Sequence, residues 1–280
     1  MPYVSETIAC RLRGRPRWGC LPRLPNARQP ATFTVLGLSN AFFRSVRPDT
    51  KRHFHFGVNF VFSPPVNFTA ERFAEFQRLL AEPSCGLAFD ALERHPSGSA
   101  VSLRRTSGSP LVVTVQSPAP PISQLLIIAS NPSCLKRDFV AEADSVIQAF
   151  VRLMGAPNQL LNRDCTIRHL YAVSEDHAFR YLWERRLSQG SESFSVLGRP
   201  ILGGGLRLVL PARPDVAEDP VVELKYESLL NDSNLLFLEC QFAWQTTAAG
   251  DKMLAEPMIA AVEDFITEHA VPFIMPETHE

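Results

Sequence analysis

A single run of alternation limits this chain more than any other feature. Between Val221 and Trp244, the residues Val222, Leu224 and Tyr226 alternate with Glu223, Lys225 and Glu227. A period of two sends apolar and charged side chains to opposite faces, the pattern of a half-buried strand. Asn231-Asp232-Ser233-Asn234 then supplies turn residues that tolerate left-handed backbone or bond their own main chain. The return strand has Leu236, Leu238, Cys240, Phe242 and Trp244 on one face, and Leu235, Phe237, Glu239, Gln241 and Ala243 on the other. The first face predicts core. The second is mixed, which predicts partial cover, and Phe237, Glu239 and Gln241 are the binding candidates there.

A fainter copy of this hairpin lies upstream. Val112 to Val115 and Ser123 to Ile128 match it, with Val112/Val221, Ser123/Ser233 and Leu126/Leu236 offset by 109, 110 and 110. Each hairpin precedes an amphipathic helix pattern. The first carries Phe139, Ala143, Val146, Ile147, Phe150, Val151 and Met154; the second carries Leu254, Met258, Ala261, Val262, Phe265 and Ile266. A strand and a helix also lead into each hairpin, at His53 to Ser63 with Phe73, Phe76, Leu79 and Leu80, and at Thr166 to Ser174 with Ala178, Tyr181 and Leu182. The expected fold is therefore α+β. Two fused similar halves, each strand-helix-strands-helix, would form an antiparallel curved sheet with helices packed on one face. This element order resembles the saddle-shaped duplication of TATA-binding proteins. The resemblance concerns topology and implies no function.

Gly155 and Pro157 make a helix stop signal and the boundary between halves, giving residues 33–157 and 158–280. Thr69 or Asn67, Asp138 and Ser174 are the predicted helix caps, and Pro83 a predicted stop. Residues 1–32 are rich in Pro, Gly and Arg and are expected to form a basic, mobile arm. Through Lys51-Arg52 the chain has ten Lys/Arg against Glu6 and Asp49, a net +8, which leaves −9 for the remainder of a 280-residue chain of net charge −1. Arg11, Arg13, Arg15 and Arg17 could contact nucleic-acid phosphates, or the arm could lie against the acidic body. A transit peptide fits less well, because Pro16, Pro22, Pro25 and Pro30 break an amphipathic helix.

The chemistry is mostly marked by what is missing. There is no Gly-x-Ser-x-Gly, P-loop, Gly-x-Gly-x-x-Gly, His-Glu-x-x-His or EF-hand motif, and no cofactor is implied. Cysteines at 10, 20, 85, 134, 165 and 240 form no Cys-x-x-Cys pair and read as reduced thiols of a cytoplasmic protein. No run approaches the ~20 apolar residues of a membrane span. Gly203-Gly204-Gly205 leads into a strand and not a helix, so it reads as a tight bend and not a phosphate cradle. Cys165 and His169 share a strand face but stand ~13 Å apart, too far for a nucleophile and its base.

His53 and His55 fall on one face of a strand and are weak metal candidates, lacking a third ligand marked by spacing. Phe54, Phe56, Val58, Phe60 and Phe62 fall on the other. Arg104 and Arg105 form an exposed basic strand end. Trp183, Trp244, Phe237 and Tyr171 could stack on bases, or be core. The leading expectation is a non-enzymatic cytoplasmic binding or accessory protein that acts on another protein. Nucleic-acid binding through the arm is the alternative, and a hydrolase or small-ligand protein the second alternative. On the nucleic-acid reading, deleting residues 1–32 removes a salt-dependent affinity measured by titration at two salt concentrations. An affinity indifferent to the deletion or to salt eliminates that reading.

Overall fold

The computed structural model describes residues 46–119, 121–155, 157, 159–174, 177–245 and 253–275. The basic arm, with Arg11, Arg13, Arg15 and Arg17, lies outside the described residues, as does the segment Phe33–Phe43. The chain folds as α+β. Nine strands form one antiparallel open sheet: β1 (Val46–Ser63), β2 (Ala91–Arg94), β3 (Ala100–Arg105), β4 (Leu111–Ala119), β5 (Ile122–Ser130), β6 (Gln159–Val173), β7 (Gly205–Leu210), β8 (Val221–Leu229) and β9 (Asp232–Gln245). Their spatial order is β2-β3-β4-β5-β1-β6-β9-β8-β7. Among the described residues five α-helices accompany them: α1 (Ala70–Ala81), α2 (Lys136–Met154), α3 (Ala178–Arg180), α4 (Ala255–Phe265) and α5 (Val271–Ile274). A wider π winding extends α3 through Tyr181–Arg186 and joins α4 to α5 through Ile266–Ala270.

Alternation decides which face is core. Phe56, Val58, Phe60 and Phe62 of β1 are buried, as are Leu125 and Ile127 of β5, Cys165 and Ile167 of β6, and Leu236, Leu238, Cys240, Phe242 and Trp244 of β9. Helices meet this face. Phe139 of α2 stacks on Phe56 with centroids 5.3 Å apart, Phe150 meets Phe62 edge-on at 5.5 Å, and Phe265 of α4 meets Phe242 at 5.3 Å. The Tyr226 hydroxyl donates to the Ala270 carbonyl at 2.8 Å, and the Tyr181 hydroxyl to that of Ile274. The Ile274 carbonyl belongs to the last turn of α5, where acceptors otherwise go unpaired.

The opposite face pairs its side chains within the sheet. Asn59 Nδ2 donates to Asp164 Oδ2 at 2.7 Å, Gln116 to Gln124 at 2.9 Å, and Phe54 meets Phe237 edge-on at 6.2 Å. Among the described residues, none of these contacts runs to a helix.

Several local expectations change. Between His53 and His55 the register slips: His53 opposes His169 while His55 opposes Arg168. Phe54 is the extra residue of a β-bulge. It therefore leaves the Phe56 face and joins Phe237, whereas His53 crosses to the helix-covered side. The reading that put Phe54 with Phe56, and His53 with His55, is corrected by that one inserted residue. Ala91–Arg94, without an alternating pattern, is a strand because Leu103 and its neighbours offer a free edge. The hairpin turn is two residues, Leu230-Asn231, so β9 starts within the predicted turn at Asp232. Asp138 serves the α2 terminus as its third residue, accepting from Leu135 N at 3.1 Å, and His177 in place of Ser174 caps α3. Thr69 caps α1 as predicted. Gly205 is required where β7 approaches β8, since a Cβ there would run into the Tyr226 carbonyl oxygen.

Phe56 is fully buried between sheet and α2. Phe56→Ala should cost about 3–5 kcal/mol in urea unfolding. Val209→Ala, at the exposed sheet edge, should stay within about 0.5 kcal/mol.

Candidate functional site

The β1 bulge assembles a polar cluster inside the helix-covered face. It turns His53 toward its strand neighbour His169, and α4 lays Glu263 across the pair. His53 Nδ1 stands 3.1 Å from His169 Nε2, and His169 Nε2 stands 3.1 Å from Glu263 Oε1. Lys51 Nζ sits 2.9 Å from Glu263 Oε2. The Tyr171 hydroxyl lies 3.4 Å from His169 Nδ1, two residues along the same strand face. His169 is fully buried, Glu263 is 6% exposed, and His53 is half-buried.

The electrostatics follow from that burial. Desolvation, then the neighbouring His169 and Lys51, hold His53 down at about 4. Desolvation likewise lowers His169. For Glu263, burial alone would raise the carboxyl, but His169 and Lys51 overcome it and bring it to about 2. At neutral pH Glu263 is thus a carboxylate beside two neutral imidazoles. Cys165 and Cys240 are buried nearby, and desolvation pushes both thiols up, which removes them as nucleophiles.

A second arrangement crosses the other face. The register places His55, Arg168, Glu239, Lys225 and Arg207 in one row over five adjacent strands. Glu239 is its centre, 5% exposed, with Arg168 Nε and Lys225 Nζ each 2.5 Å from its carboxylate. Lys225 also reaches Glu223 at 3.1 Å, which in turn takes Arg207 at 2.7 Å. Burial would raise Glu239, yet Lys225 and Arg168 hold it lowered. Burial, then Arg168, lowers His55 to about 4. The His55 ring lies over Gly57, where a Cβ would come within 2.9 Å of its Nε2.

The predicted site residues are distributed as follows. Phe237, Glu239 and Gln241 do share the face left uncovered by the described helices, and Phe237 and Gln241 are half-buried. Glu239 is committed to ion pairs. Arg104 is exposed on that face and Arg105 is not: it reaches Glu142 of α2 at 2.7 Å and the Ser109 carbonyl at 2.8 Å. His53 and His55 sit on opposite faces, so they cannot share an ion. Sequence reasoning missed His169, Glu263 and Lys51 as a group. The available signal was a second histidine at the equivalent height of the partner strand; nothing marked Glu263, which reads as the polar side of an amphipathic helix. Trp244 and Tyr171, proposed for stacking, are core residues.

A cleft of about 730 Å³ also lies beside the π segment after α3, with Phe179, Phe194 and Ile201 among its walls and Arg180 and Glu184 at its polar part. No helix among the described residues is long and apolar enough to cross a membrane. No protein-family model matches the chain, and comparison with curated proteins and with solved structures finds no match.

The depressed histidines set the acid behaviour. Between pH 6.5 and about 4 the unfolded chain binds protons that folded His53 and His55 refuse, so stability is lost as pH falls through that window. Glu263 continues the loss from about 4.5 toward 2. Urea midpoints measured against pH in chelator-containing buffer should show this decline, and His55→Gln should flatten its upper part. Stability that rises on acidification contradicts the assignment.

Proposed function

We propose that this chain is a non-enzymatic binding protein that engages another protein through the uncovered face of its sheet. The observation that carries the reading is the composition of that face at its centre. The edge-on aromatic pair Phe54 and Phe237 lies beside a row of charges already held in position by Glu239. Aromatic and arginine side chains in a fixed setting are the groups that dominate protein interfaces, because little rotamer freedom remains to be lost on binding. Half-buried Leu235 adds apolar surface on the same face.

The two halves, in this reading, descend from one duplicated unit. Support comes from the strand order, in which β5, β4 and β3 step outward from β1 as β9, β8 and β7 step outward from β6. Such a duplication would make the uncovered face a continuous, curved docking surface. The nucleic-acid alternative keeps the basic arm as its support, while Arg105 is engaged by Glu142.

The test is co-purification from the native host with the unaltered chain and with Phe237→Ala. The face predicts a partner whose affinity falls at least tenfold, about 1.4 kcal/mol, in the variant. A partner retained equally by both, with the fold unchanged by circular dichroism, removes the uncovered face from the interaction.

A further inference from the structure

We propose that His53 Nδ1, His169 Nε2 and Glu263 Oε1 form a binding site for one divalent first-row transition ion, zinc foremost. The three donor atoms all lie within 4.8 Å of one another. The two shorter separations are 3.1 Å each. Two ligands held 2.0–2.1 Å from one tetrahedral ion stand about 3.3 Å apart, so these two separations match a shared ion to a few tenths of an ångström, and His53 and Glu263 need only close on it.

Hydrogen bonding alone does not account for this convergence. An imidazole nitrogen carries in the ring plane either one proton or one lone pair. His169 Nε2 has two close neighbours, His53 Nδ1 and Glu263 Oε1, and can serve only one. Glu263 Oε1 is in fact buried without a properly directed hydrogen bond. A carboxylate oxygen shielded from water in that state is costly. An ion between the three atoms takes a lone pair from each and needs no proton.

The surroundings fit the same reading. Ligating histidines are oriented through their other ring nitrogen, and Tyr171 stands at His169 Nδ1. Lys51 holds Glu263 through Oε2, leaving Oε1 as the free donor. Two imidazoles and one carboxylate suit zinc, and such three-ligand sets leave a coordination position open. Half-buried His53 is the side from which an ion would enter. Glu263 lies three residues before the winding loosens to π at Ile266, a feature frequent at functional positions. Loaded, the site would tie β1, β6 and α4, contributed by chain positions more than ninety residues apart, at one point.

The experiment is cobalt(II) titration of the full chain, prepared without a histidine tag, followed by visible absorption. Expected is one equivalent bound with the spectrum of a four- or five-coordinate ion, displaced by zinc(II). His53→Gln and Glu263→Gln should each weaken it by more than the ~10–100-fold of an outer-shell change. His95→Gln, on an exposed turn, should leave it unaltered. Circular dichroism establishes that each variant folds. Failure of the unaltered chain to bind one equivalent, or equal binding by a folded His53→Gln or Glu263→Gln, overturns the site; the latter result would place the ion elsewhere.

Discussion

Everything in this fold hangs on the antiparallel pairing of β1 with β6. These two long strands sit at the middle of the nine, and each carries one flank of the sheet outward from it. Their inner faces are the ground on which α2 and α4 pack, through Phe56, Phe62 and Ile167. A ladder of this length determines which side of every neighbouring strand is core, because a slip of one residue would exchange the faces. The pair contains three such shifts, and the one at Phe54 decides which face His53 and Phe54 take. Beyond it, one histidine is delivered to the interior and one aromatic to the exterior.

Two polar systems result, one on each face, and the same physics governs both. A charge taken out of water is tolerated when its partners are close and correctly aimed. Glu239 on the uncovered face meets that condition with two cations. Glu263 beneath the helices meets it on one oxygen only, through Lys51. The first system therefore reads as a rigid frame within a surface. The second has an unspent donor atom, and it is the place where an added ligand would improve the electrostatics.

Much of the core was legible beforehand, for an identifiable reason. In β8 and β9 every residue assigned to the inner face, from Val222 to Trp244, is buried. Strict alternation in a sheet whose described helices lie on one side leaves no other arrangement. Legibility failed where the period was interrupted. At Phe54 an unpaired residue reverses the faces, and no turn-forming residue announces it. In β2 four residues are recruited by a neighbouring edge and show no pattern of their own. Arg104 and Arg105 looked like one basic unit, although adjacent strand residues necessarily point apart, and Glu142 was there to meet the inward one.

The sequence by itself determined the α+β class, the antiparallel hairpins, the amphipathic helices and the residues of the inner face, because each follows from periodicity within a dozen neighbours. Only the tertiary structure decided how His53, His169 and Glu263 came within 4.8 Å of one another. It alone also aligned His55, Arg168, Glu239, Lys225 and Arg207 across five strands. Those groupings depend on inter-strand register, on a single bulge and on the seat of a helix. All three are settled by packing between distant segments, which leaves no trace in local spacing.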